Sequence, residues 1–154
     1  MLKQANEKRI RKRARRRAVK DHPYKYLLCI DFEATCWDMP IFNKRKIQEI
    51  IEFPAVLINL ETGEIEKEFQ RYCRPIEIPT LSDYCINLTG ITQEVVDQGA
   101  LVQDVIEEFR LWVKEIIKEK ELILPKTKKS NLNGNVALVT WTNWDFLIQL
   151  RNEC

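Results

Sequence analysis

A nearly continuous apolar run, Tyr26, Leu27, Leu28, Cys29 and Ile30, leads directly into Asp31-Phe32-Glu33-Ala34. No other stretch constrains the fold as strongly. Flanked by turn-prone residues, such a run reads as a central strand buried on both faces. Side chains alternate along a strand, so Asp31 and Glu33 leave the same face together. Their neighbours Leu28, Ile30, Phe32 and Ala34 are apolar, and burying two carboxylates there costs several kcal/mol per ion unless a cation compensates. The alternative is a pair of solvated acids at a strand end, since Asp-x-Glu arises easily by chance among 23 acidic residues.

Downstream, the pattern suggests a sheet covered by helices. Residues 47–60 read as a second strand, with Pro54 marking a bulge or an edge. Glu61-Thr62-Gly63 forms a tight turn, and residues 64–73 return antiparallel. Ser82 caps a short helix through Leu88 that Gly90 ends, and Thr92 caps another short turn ending at Gly99. Val102, Val105, Ile106, Phe109, Trp112, Val113, Ile116 and Ile117 recur at three- and four-residue steps, the stripe of an amphipathic helix whose apolar face packs on a core. Residues 121–135, with Lys126, Lys128 and Lys129, read as a surface loop. Residues 136–141 read as another buried strand, followed by a helix from Asn143 or Trp144 onward. This order gives an α/β or α+β sheet with helices packed on it.

Charge divides the 154 residues into two pieces. Residues 1–20 hold ten Lys/Arg and one Glu, net +9, whereas the remainder holds fifteen basic and twenty-two acidic side chains, net −7. The string Arg9 to Lys20 has too few large apolar residues to build a core. Residues 1–22 are therefore read as a disordered basic tail, either a localisation or solubilising segment or a non-specific phosphate anchor, and residues 23–154 as the folded domain. No eighteen-residue apolar run and no secretory signal pattern is present, so no membrane partner is expected. The five cysteines, Cys29, Cys36, Cys73, Cys85 and Cys154, are scattered and accompany a single His. That argues against a disulfide framework or a structural zinc site and for an intracellular setting, nuclear or cytoplasmic.

A third acid, Asp145, follows the 136–141 strand within the first turn of the next helix. Three carboxylates at the ends of two sheet elements suit hard divalent cations. Two Mg²⁺ ions about 3.5 to 4 Å apart can activate a water and stabilise the leaving oxygen of a phosphodiester. Phosphodiester hydrolysis is the chemistry such a set suggests.

The stretches IDFEATCW (from Ile30), QEIIEFPAVLINLETGEI (from Gln48), RPIEIPTLSDYCINLTGITQEVVD (from Arg74) and VTWTNWD (from Val139) resemble the Eri-type 3′-to-5′ exoribonucleases, a branch of the DEDDh exonucleases. Cys36-Trp37 and the EIIEFPAVLIN string are closest to the exonuclease-domain-containing members. The resemblance implies an α/β, RNase-H-like fold, a mixed five-stranded sheet flanked by helices. It implies 3′-to-5′ hydrolysis of RNA by two Mg²⁺ ions, with Mn²⁺ as the alternative ion and single-stranded DNA as the alternative substrate.

By the same resemblance Asp31 and Glu33 are first-motif metal ligands, with Asp31 between the ions, and Asp145 is the second-motif acid. Ala34 (through its backbone) and Thr35 match positions contacting the 3′-terminal sugar. Leu88, Thr89, Gly90 and Ile91 match the terminal-nucleotide pocket, and Trp144 matches an aromatic beside the terminal base; core packing is the alternative role for Leu88 and Trp144. The family's third motif, H-x-x-x-x-D, supplies a general base and a fourth acid, and it is absent: the single histidine is His22, ahead of the first strand. The sequence thus reads as a C-terminally truncated exonuclease domain, either part of an active exoribonuclease or a non-catalytic form that binds nucleic acid or regulates.

Overall fold

The structure, a computed structural model, describes residues 23–38, 48–124 and 134–151. The basic tail, His22, the three lysines of the 121–135 loop and Cys154 lie outside the described residues, as do the side chains of Phe146 and Leu147. The elements are β1 (Tyr26–Ile30), β2 (Glu33–Ala34), β3 (Ile50–Asn59), β4 (Ile65–Tyr72), α1 (Asp83–Thr89), α2 (Gln93–Asp97), α3 (Val102–Lys120), β5 (Val136–Val139) and a π-helical turn (Asp145–Leu150).

The sheet is mixed and five-stranded, as expected. Its spine is β3. One edge of β3 pairs antiparallel with β4, and the other is shared by β1 and then β2. On its far side β1 pairs in parallel with β5, from Tyr26 opposite Val136 to Cys29 opposite Val139. The pairs Ile30 with Ala55 and Glu33 with Glu52 belong to one register, so Pro54 falls opposite Asp31. There the pairing lapses for two residues, because a proline has no N–H to offer a ladder. Pro54 is thus not on an edge: β3 is paired along both sides, and its register shifts lie elsewhere, at Glu33/Ala34 and at Leu57/Ile58.

Two further expectations are corrected. β1 is central, but only Tyr26, Leu28 and Ile30 are fully buried, while Leu27 and Cys29 on the opposite face are half-buried. β5 ends at Val139 and is not a buried strand. Val136 is 1% exposed but Leu138 is 53% exposed, because β5 ends the sheet among the described residues.

α3 covers the buried face. Val102, Val105 and Ile116 join Tyr26, Leu28, Ile30, Phe32, Phe53, Leu57 and Phe69 in one core, with Phe109 and Trp112 packed against it. Aromatic rings run through it in a chain, from Phe32 to Phe53 (centroids 4.4 Å), Phe53 to Phe109 (4.8 Å) and Phe109 to Trp112 (5.7 Å). A second cluster, Ile51, Leu81, Cys85, Ile91 and Val96, seats α1 and α2 at the β2 end of the sheet. Ser82 caps α1 by accepting the Cys85 N–H at 3.1 Å, and Gly90 ends it at φ 73°, a left-handed conformation that glycine adopts without a Cβ clash. The connection into α3 passes so close to β4 that a Cβ on Gly99 would lie 2.8 Å from the Tyr72 carbonyl oxygen.

Phe53, 1% exposed at the centre of the aromatic chain, should be the costliest truncation. Phe53→Ala is expected to lower unfolding free energy by about 3 to 5 kcal/mol in equilibrium urea denaturation. Leu111→Ala, on the exposed side of α3, should stay within about 0.5 kcal/mol.

Candidate functional site

Phe32 sits on the core face, so its neighbours in sequence are turned to the other side. Asp31 is exposed just beyond β1, and Glu33 is half-buried in β2. The third acid comes from a distant part of the chain. Asp145, 2% exposed, opens the π-helical turn, and its Oδ1 accepts the Phe32 N–H at 3.0 Å. The peptide nitrogen between Asp31 and Glu33 is therefore held by Asp145. Single π-helical turns occur frequently at functional sites, and this one is fastened at both ends. Ahead of it, Thr142 Oγ1 accepts the Trp144 N–H. Behind, the buried Gln149 donates from Nε2 to the Gln48 carbonyl at 2.7 Å, just before β3.

Electrostatically the locus is one-sided. Burial first, then the Asp145 charge, raises the Asp31 carboxyl above its ordinary value. The Glu33 carboxyl is raised by burial, then by Asp31, Glu52 and Asp145. Every charge acting on these two groups is negative, and such a set of hard oxygen donors fits a divalent cation. Among the described residues the acids do not close into a group of three able to hold an ion unaided. Water and a substrate phosphate commonly complete a magnesium shell.

Glu52 was not anticipated. It lies directly opposite Glu33 across the β2–β3 pair, and its Oε1 accepts from Gln70 Nε2 on β4. The antiparallel pairing of the two strands carries that signal, but only once their register is known.

The remaining site residues divide into two groups. Ala34 and Thr35 are buried and already engaged: the Ala34 carbonyl accepts from the Cys85 thiol at 3.7 Å, and Thr35 Oγ1 accepts the Glu49 N–H at 3.0 Å. Thr35 N in turn donates to the Glu49 carbonyl, while the Glu49 carboxylate accepts the N–H groups of Ile76, Glu77 and Ile78. Leu88 by contrast is 64% exposed on α1, which is not core packing. Thr89 Oγ1 donates to the Cys85 carbonyl and accepts the Ile91 N–H; Gly90 is exposed and Ile91 buried. α1 is tied to the first-motif segment by Ser82 Oγ, which donates to the Cys36 carbonyl at 2.6 Å. Trp144 is half-buried and packs against the main core.

Comparison with known proteins gives the family and the fold. The family model described as "Exonuclease" matches residues 28–148. The chain is similar to "3'-5' exonuclease Snipper" of Drosophila melanogaster, 51% identical over 132 residues, covering 86% of this chain and 47% of that protein. It is similar also to "ERI1 exoribonuclease 2" of Homo sapiens, 42% identical over 134 residues, covering 85% of this chain and 19% of that one. Among solved structures, the nuclease domain of 3'hExo, a DEDDh family member bound to rAMP, superposes with a TM-score of 0.68 at 40% identity, over 85% of this chain and 58% of that one. The chain thus spans less than half the length of these curated relatives.

The raised Asp31 and Glu33 carboxyls carry a pH signature. In the folded state both bind their protons more tightly than in the unfolded chain. Their contribution to stability is therefore full below the ordinary carboxylate range and is lost as pH rises through the raised values. In chelator-containing buffer, Asp31→Asn is expected to raise the thermal midpoint at neutral pH, with the gain vanishing below the ordinary carboxylate range. Melting curves across pH measure it.

Proposed function

The chain belongs to the exonuclease family, and on that premise we propose that it hydrolyses RNA phosphodiesters from the 3′ end with divalent-ion assistance. The observation that carries the reading is the Asp145 carboxylate on the Phe32 amide, which joins Asp31, Glu33 and Asp145 into one locus with no positive charge acting on its two first-motif acids. Asp31, Glu33 and Asp145 are the residues that would hold Mg²⁺, or Mn²⁺ in its place. When bound, a pair of such ions lowers the pKa of an attacking water and neutralises charge on the leaving oxygen.

The chain's own groups then bind and orient the substrate. The 34–35 segment, rigid through its exchange with Glu49, presents backbone to the terminal sugar. Exposed Leu88, with Thr89, Gly90 and Ile91, forms the wall against the terminal nucleotide. Trp144 matches an aromatic beside the base, where stacking contributes about 1 to 3 kcal/mol without sequence preference. The names of relatives such as "ERI1 exoribonuclease 2" support RNA as the substrate class; single-stranded DNA is the alternative substrate. The scattered cysteines of the sequence suit an intracellular site, nuclear or cytoplasmic.

A specific observation favours a second reading for these 154 residues. The sequence holds one histidine, His22, and no H-x-x-x-x-D string, the motif by which the resemblance expects a general base. On this reading the chain holds RNA through the basic tail and the terminal-nucleotide wall without cleaving it.

Incubation of the chain with 3′-labelled single-stranded RNA and Mg²⁺ distinguishes the two. The catalytic reading expects nucleotide release that falls at least about 100-fold in Asp31→Asn, the order by which such groups contribute; equal release from both proteins refutes it. The binding reading expects no release but a complex whose affinity falls with salt, with a log–log slope of about −0.7 per phosphate contact. Deleting residues 1–20 should flatten that slope, which a filter-binding titration at several salt concentrations measures.

A further inference from the structure

One buried carboxylate near the site has no place in the chemistry above. Glu49, 7% exposed just before β3, is not among the charges acting on Asp31 or Glu33. Both of its oxygens are filled by the loop after β4. Oε1 accepts the N–H groups of Ile76 at 2.6 Å and Glu77 at 3.0 Å, and Oε2 accepts those of Glu77 at 3.1 Å and Ile78 at 2.9 Å. Three successive amides gathered on one anion form a nest of the kind that elsewhere captures a free anion; here the chain fills it from within. The main chain around Glu49 is committed elsewhere. Its N–H donates to Thr35 Oγ1 and its carbonyl accepts the Thr35 N–H. Gln48 donates from Nε2 to the Thr35 carbonyl at 3.1 Å, and its own carbonyl accepts from Gln149 in the turn that Asp145 opens. Residues 48 and 49 therefore join three segments distant in the chain: the 34–35 backbone, the Asp145 turn and the loop that runs into α1.

We propose that Glu49 is a positioning residue for the 3′-terminal nucleotide, its carboxylate fixing the spacing between the 34–35 backbone and the α1 wall. The inference rests on the exonuclease reading for the identity of the occupant. α1 itself is fastened at its start, where Ser82 Oγ donates to the Cys36 carbonyl at 2.6 Å, and by the weak Cys85 thiol contact to the Ala34 carbonyl. A short helix held only there is free to pivot. Glu49 supplies a second hold, on the loop that leads into the helix, and Gln93 of α2 closes the far end of that loop. Gln93 Oε1 accepts the Leu81 N–H, and its Nε2 donates to the Pro79 carbonyl, both at 2.8 Å.

Glutamine at position 49 keeps the size of the side chain but not its acceptors. The amide nitrogen brings hydrogens where the loop also brings hydrogens, so at least one of the three loop amides loses its partner or the loop moves away. The exchange with Thr35 uses only main-chain atoms of residue 49 and survives the change. Glu49→Gln therefore releases the loop from the 34–35 segment while leaving that segment in place. Displacement of about 1 Å in a positioning group costs up to about 100-fold in function, and here the loss falls on nucleotide binding.

The test is equilibrium titration of the full chain with adenosine 5′-monophosphate in Mg²⁺ buffer, at a temperature where circular dichroism finds parent and variant equally folded. Inorganic phosphate, titrated alongside, reports uptake by the basic tail. Glu49→Gln is expected to weaken nucleotide binding by about 10- to 100-fold and to leave phosphate uptake unchanged. Amide hydrogen exchange should quicken at residues 76–78 and through α1 but not in β1, β3 or α3, a pattern that a general loss of stability does not produce. Gln93→Ala, at the partly exposed end of the same loop, should weaken the nucleotide by a smaller factor, and it decides alone if Glu49→Gln does not fold. Equal nucleotide affinity in the parent and the folded variants, or exchange quickened uniformly across the core, overturns the proposal. No nucleotide binding by the parent removes the pocket and overturns the nucleotide reading together with this inference. Binding that the variants weaken, with no release of nucleotides from RNA by the parent, supports the inference and counts against the catalytic reading alone.

Discussion

Phe32 is the residue on which the rest of the structure turns. Its ring is locked into the aromatic chain through Phe53 to α3, and its amide is held by Asp145. With both ends restrained, the alternation of a strand leaves Asp31 and Glu33 no direction but outward, on the face away from the core. The same residue therefore joins the hydrophobic core to the acidic locus. Core packing and carboxylate placement are consequently one problem in this fold, and a shift of the aromatic chain would be felt at the acids.

The acids are placed against their own electrostatics. Asp145 acts on Asp31, and Asp31, Glu52 and Asp145 act on Glu33, with like charge, and cross-strand like charges destabilise a sheet. A fold selected for stability alone would disperse them. The position of Phe32 gives the arrangement its geometry, since strand alternation turns its amide away from β3 toward the β5 side, where it is the donor that Asp145 takes. Around this locus the supporting contacts are neutral or backbone-directed. Gln149 holds Gln48, Gln48 donates to the Thr35 carbonyl, and Glu49 gathers three amides of the loop after β4. These contacts stiffen the frame without neutralising the acids.

Much of this was legible in the residues themselves. The Ser82 cap, the Gly90 stop and the α3 stripe appear where local rules place them, because capping and helical periodicity act over a few neighbouring positions. Pro54 was misread as a bulge or an edge, since a missing N–H tells that a ladder breaks but not on which side or opposite what. β5 was misread as buried because an apolar run carries no information on whether a further strand covers it. Glu52 was missed because its neighbour Glu33 is nineteen residues away and adjacent only through the register of β2 on β3. The packing of Cys36 against the cluster that holds Cys85 was hidden for the same reason.

By itself the sequence determined the elements, the face on which Asp31 and Glu33 emerge, and the family, since strand alternation, caps and linked motifs are all written in local order. Only the tertiary structure decided that Asp145 holds the Phe32 amide and that Glu52 faces Glu33. Each of these depends on bringing distant segments within hydrogen-bonding distance, and that proximity is set by sheet register and core packing rather than by any neighbouring residue in the chain.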